Sequence, residues 1–414
     1  MVEQDVVRES ARAGRVVLWE ESARDGAQAK TLMSAAFRVR LARAQGRMFG
    51  ADGPRHVVFA AGFPAVCGEE FEAVRRVAVE AEGAVGVAAV CRGRSADVRQ
   101  ALAAVRGTAN ARVMVVVPAS EAMAHTMTHR PARDALESAL ALVKDARDTD
   151  DRVAVDICLA DASRADHGLM GAYAGTLTAA GAGTVVLADT VGVHLPGEAA
   201  ELFARVGAAA GPDVVLASHL HNDLGLGLAN TLEALRAGTR VVSASWLGIA
   251  ERSGMAATEQ LLFLLAHDPA RTARLLGTDT PAWWTAPDLT ALPRIARTVS
   301  AETGVPLTVT TPVVGTGVGT ISTGTPFVHP DLFQPFDPER LLGIAPTTVL
   351  TQLASARVVT AVAARLGHVL DPEQARQATA WVKTQAYRAG RAVVDDTAFA
   401  AYLDGLRTLP AARS

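Results

Sequence analysis

Two short segments carry the residues with the greatest chemical potential. Residues 21–26 read ESARDG and set Arg24 beside Asp25; residues 218–223 read SHLHND and set His219 and His221 two apart. On an extended strand, residues two apart share a face, so both imidazoles project together. One carboxylate and two imidazoles make three ligands for a divalent cation such as Mn²⁺ or Mg²⁺. About three of six octahedral positions then remain for water and substrate. Such a cation chelates a 2-oxo acid through its carboxylate and keto oxygens and polarises the carbonyl toward attack. Arg24, next to Asp25, stabilises the oxyanion that develops. The plainer alternative is a pair of hydrogen-bonded structural histidines at a strand end.

Strands are needed to present these groups, and the sequence offers eight. Short Val-rich runs lie at 16–19, 57–60, 85–90, 113–117, 153–158, 185–188, 214–217 and 241–245. Between them are segments of helical periodicity, such as 132–146 and 197–209. Continuous apolar strands suit a parallel sheet buried on both faces. Eight strand–helix units predict an α/β protein with a (β/α)8 TIM barrel. The rival is an open doubly wound sheet, but no GxGxxG follows the first strand. The polar candidates also fall where a barrel would use them. Arg24 and Asp25 follow strand one, Asp161 strand five, Thr190 strand six, His219 and His221 strand seven, and Glu251 strand eight. All are C-terminal strand ends, where barrels build their sites.

The expected organisation is a catalytic barrel over 1–275, a linker subdomain over 276–345 and a mostly helical C-terminal subdomain over 346–414. Trp283, Trp284, Pro281, Pro287 and Pro293 mark the linker, with a helix near 289–303. A Gly/Thr-rich run at 315–327 reads as a connector or an anion cradle. Amphipathic stretches at 352–366 and 372–389 suggest a dimerisation element, so a homodimer is expected.

Composition narrows the partners. The chain has 414 residues, is 50% hydrophobic and carries a formal charge of −3, which gives no electrostatic case for nucleic acid or an anionic membrane. Cys67, Cys91 and Cys158 form no CxxC pair, which argues against a disulfide framework or a cysteine zinc site. The start at Met1 is polar and acidic and no apolar run reaches membrane length. A cytoplasmic protein acting on small molecules is expected.

Several segments together resemble the isopropylmalate/homocitrate synthase family of the DRE-TIM metallolyase superfamily. They are 21–28 (ESARDGAQ), 61–64 (AGFP), 161–164 (DASR), 188–192 (ADTVG), 219–230 (HLHNDLGLGLAN) and 248–254 (GIAERSG). With 312–315 (PVVG) and 333–343 (FQPFDPERLLG), the likeness covers about residues 15–345. It implies a metal-bearing barrel that joins acetyl-CoA to 2-oxo acids. Asp25, His219 and His221 would hold the metal (Mn²⁺ or Mg²⁺, with Co²⁺ or Zn²⁺ as substitutes) and Arg24 would face the oxyanion. Thr190 would contact the substrate carboxylate, with Gln28 in the same shell. His329 would assist proton transfer, as a C-terminal-region histidine of the partner subunit often does in that family.

Departures from the family pattern bear on the acceptor. Ala160 stands where glutamate is usual, Met114 where histidine is, and Met255 where asparagine is. Loss of a carboxylate suits an acceptor with more negative charge, since like charges repel in a confined site. Arg92, Arg94 and Arg164 are candidates to meet a second anionic group, while Glu251 and Arg252 suit a rim ion pair. Residues 324–330 (GTPFVHP) resemble the branch that contains Re-type citrate synthases and the 2-phosphinomethylmalate and 2-phosphonomethylmalate synthases of phosphonate-antibiotic pathways. Phosphinopyruvate or phosphonopyruvate is therefore the acceptor expected first, and oxaloacetate next. The same residues admit a metal-dependent lyase, a non-haem iron oxygenase and a non-catalytic ligand-binding barrel.

Overall fold

The computed structural model describes residues 5–408; the polar start before Asp5 lies outside them. The chain divides into two compact units, Met1–Pro306 and Leu307–Ser414.

Eight parallel strands close the first unit into a barrel: β1 (Val17–Glu20), β2 (Val57–Gly62), β3 (Gly86–Arg92), β4 (Ala111–Pro118), β5 (Ala154–Ala160), β6 (Ala182–Asp189), β7 (Leu216–Leu220) and β8 (Val241–Ala244). Closure comes from β1, which pairs with both β2 and β8. The expected TIM barrel is thus observed, and the open sheet is not. β7 runs past the expected 214–217 because His219 and Leu220 continue its ladder, opposite Ala188 and Asp189 of β6.

Alternate strand residues fill the interior, where Val17, Trp19, Met114, Cys158, Ala188 and Ala217 share one apolar cluster. The same period of two carries Glu21, Ala160, Thr190, His219 and His221 inward at the C-terminal rim. Cys158 sits within this packing and burial pushes its thiol up to about 12, so it serves as core rather than nucleophile.

An ion triad occupies the opposite end of the barrel. Arg112, one step below Met114, bonds Asp156 Oδ2 through Nε at 2.9 Å and Asp5 Oδ1 through Nη1 at 2.6 Å. Asp5 also caps the helix Val6–Arg12, whose Val7 and Ala11 join the interior cluster. The N-terminal helix is therefore latched under the barrel by a guanidinium that is 2% exposed. Removing one partner of a buried ion pair leaves the others uncompensated. Arg112→Ala is expected to lower stability by about 3–5 kcal/mol in urea unfolding.

The first unit extends well past the expected boundary at residue 275. Trp283 is buried against Phe49 and His56, and Trp284 donates its indole N–H to Ser10 Oγ at 3.0 Å. Helix Leu292–Thr303 buries Leu292, Ile295 and Val299. The Trp283 indole is too much apolar surface to leave in a solvated linker, so this stretch packs with the barrel.

In the second unit, helices Ala356–Arg365, Pro372–Ala389 and Asp396–Thr408 enclose a core that includes Val358, Val382, Phe399 and Leu403. Trp381 stacks on Tyr402 with ring centroids 4.4 Å apart. The Gly/Thr-rich run is more ordered than a plain connector. Thr320–Ile321 pairs with Thr347–Thr348, and Gly324–Val328 forms a short helix. Among the described residues, no helix is long and apolar enough to cross a membrane.

Candidate metal centre

A tight turn after β1 sets the first ligand. The Glu21 carbonyl accepts the amides of Arg24, Asp25 and Gly26, folding the chain back over the rim. Asp25 Oδ1 accepts the Glu251 amide at 2.8 Å, which leaves Oδ2 facing the barrel axis. There it stands 3.3 Å from His219 Nε2 and 3.9 Å from His221 Nε2, and the two imidazole nitrogens are 3.3 Å apart. All three residues are buried, and among the described residues they are the one His/Cys/Asp/Glu group with metal-binding spacing.

These distances fit a divalent cation. Three adjacent octahedral ligands, each about 2.1 Å from a metal, stand about 3 Å apart. Two imidazole nitrogens turned toward each other and toward one carboxylate oxygen also make a poor hydrogen-bonded set without a cation among them. Electrostatics agree with the donor set. Burial opposes the charge of Asp25, but Arg24 and the two imidazoles outweigh it and hold the carboxyl well below the usual range. Burial and the neighbouring His219 push His221 down to about 4, so it is a neutral ligand at pH 7.

Arg24 is clamped beside these ligands. Its Nε donates to Glu21 Oε2 at 2.8 Å, while Nη1 lies 3.1 Å from Asp25 Oδ2 and 3.4 Å from Gln28 Oε1. Burial opposes its charge, yet Glu21 and Asp25 raise its pKa further above the ordinary arginine value. Arg24 and Gln28 wall a cavity of about 680 Å³ whose other lining includes Leu32, Phe63, Arg92 and Val116. The structure therefore brings Arg24, Asp25, Gln28, His219 and His221 together.

The remaining candidates divide. Thr190 Oγ1 accepts the Asp161 amide at 2.9 Å, so its hydroxyl proton stays free to donate. Asp161 is buried in a left-handed conformation (φ 62°) and pinned by the Ser120 hydroxyl and Arg164 Nε. Arg164 is thereby committed in part to its own loop. Arg92 lines the cavity, but its Nε is engaged by Asp97 at 2.5 Å. Arg94 lines the next cleft along. Glu251 and Arg252 form the expected rim pair at 3.1 Å, and Arg252 also binds Asp223. Gly192 (φ 65°) lets the loop after β6 lie against Asp223, where a Cβ would come within 2.5 Å of its Oδ2. Of the departures, Ala160 ends β5, Met114 is buried in the interior, and Met255 is bridged to His221. His329 belongs to the second unit, where it ends helix Gly324–Val328 and lines a cleft with Thr323, Ser355 and Arg357.

One residue at the centre has no role in the sequence reading. Glu21 is fully buried and touches both Arg24 and His219. The available signal was its position two residues beyond Trp19, which predicts an inward carboxylate beside the ligands.

The loop after β8 that supplies the Glu251 amide rests on Glu259, whose Oε2 accepts the Leu247 amide at 3.0 Å. Burial pushes this carboxyl up from 4.5 to about 7. The folded chain keeps a proton that the unfolded chain releases, so stability is greatest below the unfolded value and falls as pH rises to about 7. The full window amounts to about 3 kcal/mol. Glu259→Gln lacks this loss, so urea unfolding should show the variant gaining on the wild type between pH 5 and pH 8.

Fold and site together define a (β/α)8 barrel with a candidate divalent-cation centre at its C-terminal rim. The chain belongs to the HMGL-like family, whose model matches residues 15–299. It is 33% identical over 305 residues to a 2-isopropylmalate synthase of Caulobacter sp. (strain K31), covering 72% of this chain and 54% of that protein. It is 32% identical over 330 residues to one from Neisseria gonorrhoeae, with coverages of 78% and 51%. The chain thus spans about half the length of these curated relatives. Among solved structures, the HMG-CoA lyase of Bacillus subtilis superposes with a TM-score of 0.55 at 20% identity, over 71% of this chain and 95% of that one. The enzyme from Pseudomonas aeruginosa gives 0.54 at 23%, over 71% and 94%. These two likenesses speak for the fold.

Proposed function

We propose that the chain catalyses a cation-dependent Claisen-type condensation of acetyl-CoA with a 2-oxo acid. The observation that carries this reading is the convergence of Asp25, His219 and His221 next to Arg24, which itself lines a cavity. Relatives named 2-isopropylmalate synthases support the reaction class. A cation held by the three ligands would supply Lewis acidity toward the keto oxygen of the acceptor. Arg24 donates to the same oxygen as it becomes an alkoxide, a contact that strengthens with developing charge. Thr190 offers its hydroxyl proton to the acceptor carboxylate, and Gln28 helps hold Arg24. Arg92 and Arg164 meet the acceptor's distal group. The acetyl methyl group gives a proton to a base, its carbanion attacks the keto carbon to form the new C–C bond, the carbonyl π electrons move to oxygen, and the resulting alkoxide takes up a proton. Water then cleaves the thioester, which releases CoA as free thiol.

Phosphinopyruvate or phosphonopyruvate is the acceptor we favour. Ala160 in place of a carboxylate, with Arg92 on the cavity wall, supports a distal anion. The apolar lining from Leu32, Phe63 and Val116 favours a second reading, an aliphatic acceptor such as 2-oxoisovalerate. Free-thiol release from acetyl-CoA with Mn²⁺ decides between them across phosphonopyruvate, phosphinopyruvate, oxaloacetate, 2-oxoglutarate and 2-oxoisovalerate. Preference for either phosphorus acid supports the favoured acceptor, and turnover with 2-oxoisovalerate alone supports the second. No thiol release from any member would overturn condensation in favour of a lyase or a binding protein.

A further inference from the structure

We propose that Glu21 is the positioning residue of the centre, one carboxylate orienting both the first-strand arginine and the first imidazole ligand. The assignment rests on the cation reading above and adds to it a residue outside the ligand set. Glu21 follows β1 and continues the inward alternation of Val17 and Trp19, so its side chain enters the interior at the rim. It is 0% exposed, and a carboxylate is left in such a place only when its oxygens are used. Oε2 accepts from Arg24 Nε at 2.8 Å. Oε1 has no other hydrogen-bond partner and lies 3.4 Å from His219 Nδ1, which is likewise without one.

Those two unpartnered atoms face each other for a chemical reason. His219 can offer Nε2 to a cation only if its ring proton sits on Nδ1, and an anionic oxygen beside Nδ1 selects that tautomer and fixes the ring plane. The other oxygen takes the Nε–H of Arg24 while Asp25 and Gln28 take Nη1. The guanidinium fork is thus held from two sides, and Nη2 remains for the acceptor. Glu21 touches neither cation nor substrate and acts through the two groups that do.

The test uses the full chain and Mn²⁺ alone, with the dissociation constant read by electron paramagnetic resonance and the fold by thermal melting. Glu21→Gln and Glu21→Ala are expected to bind Mn²⁺ about 10- to 100-fold more weakly than the wild type. Glu20→Gln is the control. That neighbouring carboxylate is also buried but bonds Ser22 instead, and the variant should keep wild-type affinity. A merely structural role would lower the melting temperature without moving the Mn²⁺ constant of the folded fraction. Wild-type affinity in a folded Glu21→Gln would overturn the assignment alone. Failure of the wild type to bind Mn²⁺ would overturn the cation reading and this assignment with it. If Glu21→Ala does not fold, the isosteric glutamine variant decides.

Discussion

Asp25→Ala should lose at least about 10³-fold in thiol release from acetyl-CoA, because it removes the one anionic ligand of the centre. Polarisation of a carbonyl by a cation contributes several kcal/mol, and each 1.4 kcal/mol is about tenfold in rate. The same substitution leaves Arg24 with Glu21 as its remaining carboxylate and frees the Glu251 amide that Asp25 Oδ1 had accepted. The loop after β8 should therefore loosen as well. Steady-state assays at saturating Mn²⁺, paired with Mn²⁺ titration, separate the two effects. Loss of rate with retained Mn²⁺ binding would place the cation on other ligands. A fully active variant would remove Asp25 from the site.

Arg24→Lys should be nearly as damaging and in a different way. Lysine carries the charge but not the fork. It cannot donate Nε–H to Glu21 at 2.8 Å while keeping a second nitrogen 3.1 Å from Asp25 and a third toward the acceptor. Loss of one oxyanion donor costs about 10²- to 10³-fold in kcat. Since the contact gains its strength as charge develops, kcat should fall while the acceptor KM changes little. Mn²⁺ affinity should remain close to wild type, because Arg24 is not a ligand. A rise in KM with kcat unchanged would make Arg24 a substrate-binding group only.

The parts of this molecule that were legible in sequence share one property: they are set by local period. Val-rich runs such as 113–117 read as strands because a barrel strand is buried on both faces, and His219-Leu-His221 reads as one face because strand side chains alternate. What escaped depends on neighbours distant in the chain. Arg112 is a charge within an apolar run, and its meaning appears only when Asp156 and Asp5 arrive from β5 and the N-terminal helix. Trp283 and Trp284 follow a proline and look like linker until Phe49 and His56 cover the first and Ser10 accepts the indole N–H of the second. Glu21 was visible in the motif, yet its partner His219 comes from β7, distant in the chain. Arg92 reads in sequence as a candidate for an anionic group, but a sequence pattern does not show that Asp97 would engage it.

Asp25, His219 and His221 are proposed to hold one cation, with a 2-oxo acid bound beside Arg24. Electron paramagnetic resonance of the Mn²⁺-loaded chain tests this arrangement most directly, using an acceptor labelled with ¹⁷O in its carboxylate and keto groups. One Mn²⁺ per chain and line broadening from the labelled acid are expected, both lost in Asp25→Ala. Mn²⁺ bound with no broadening from any acceptor that supports thiol release would contradict it.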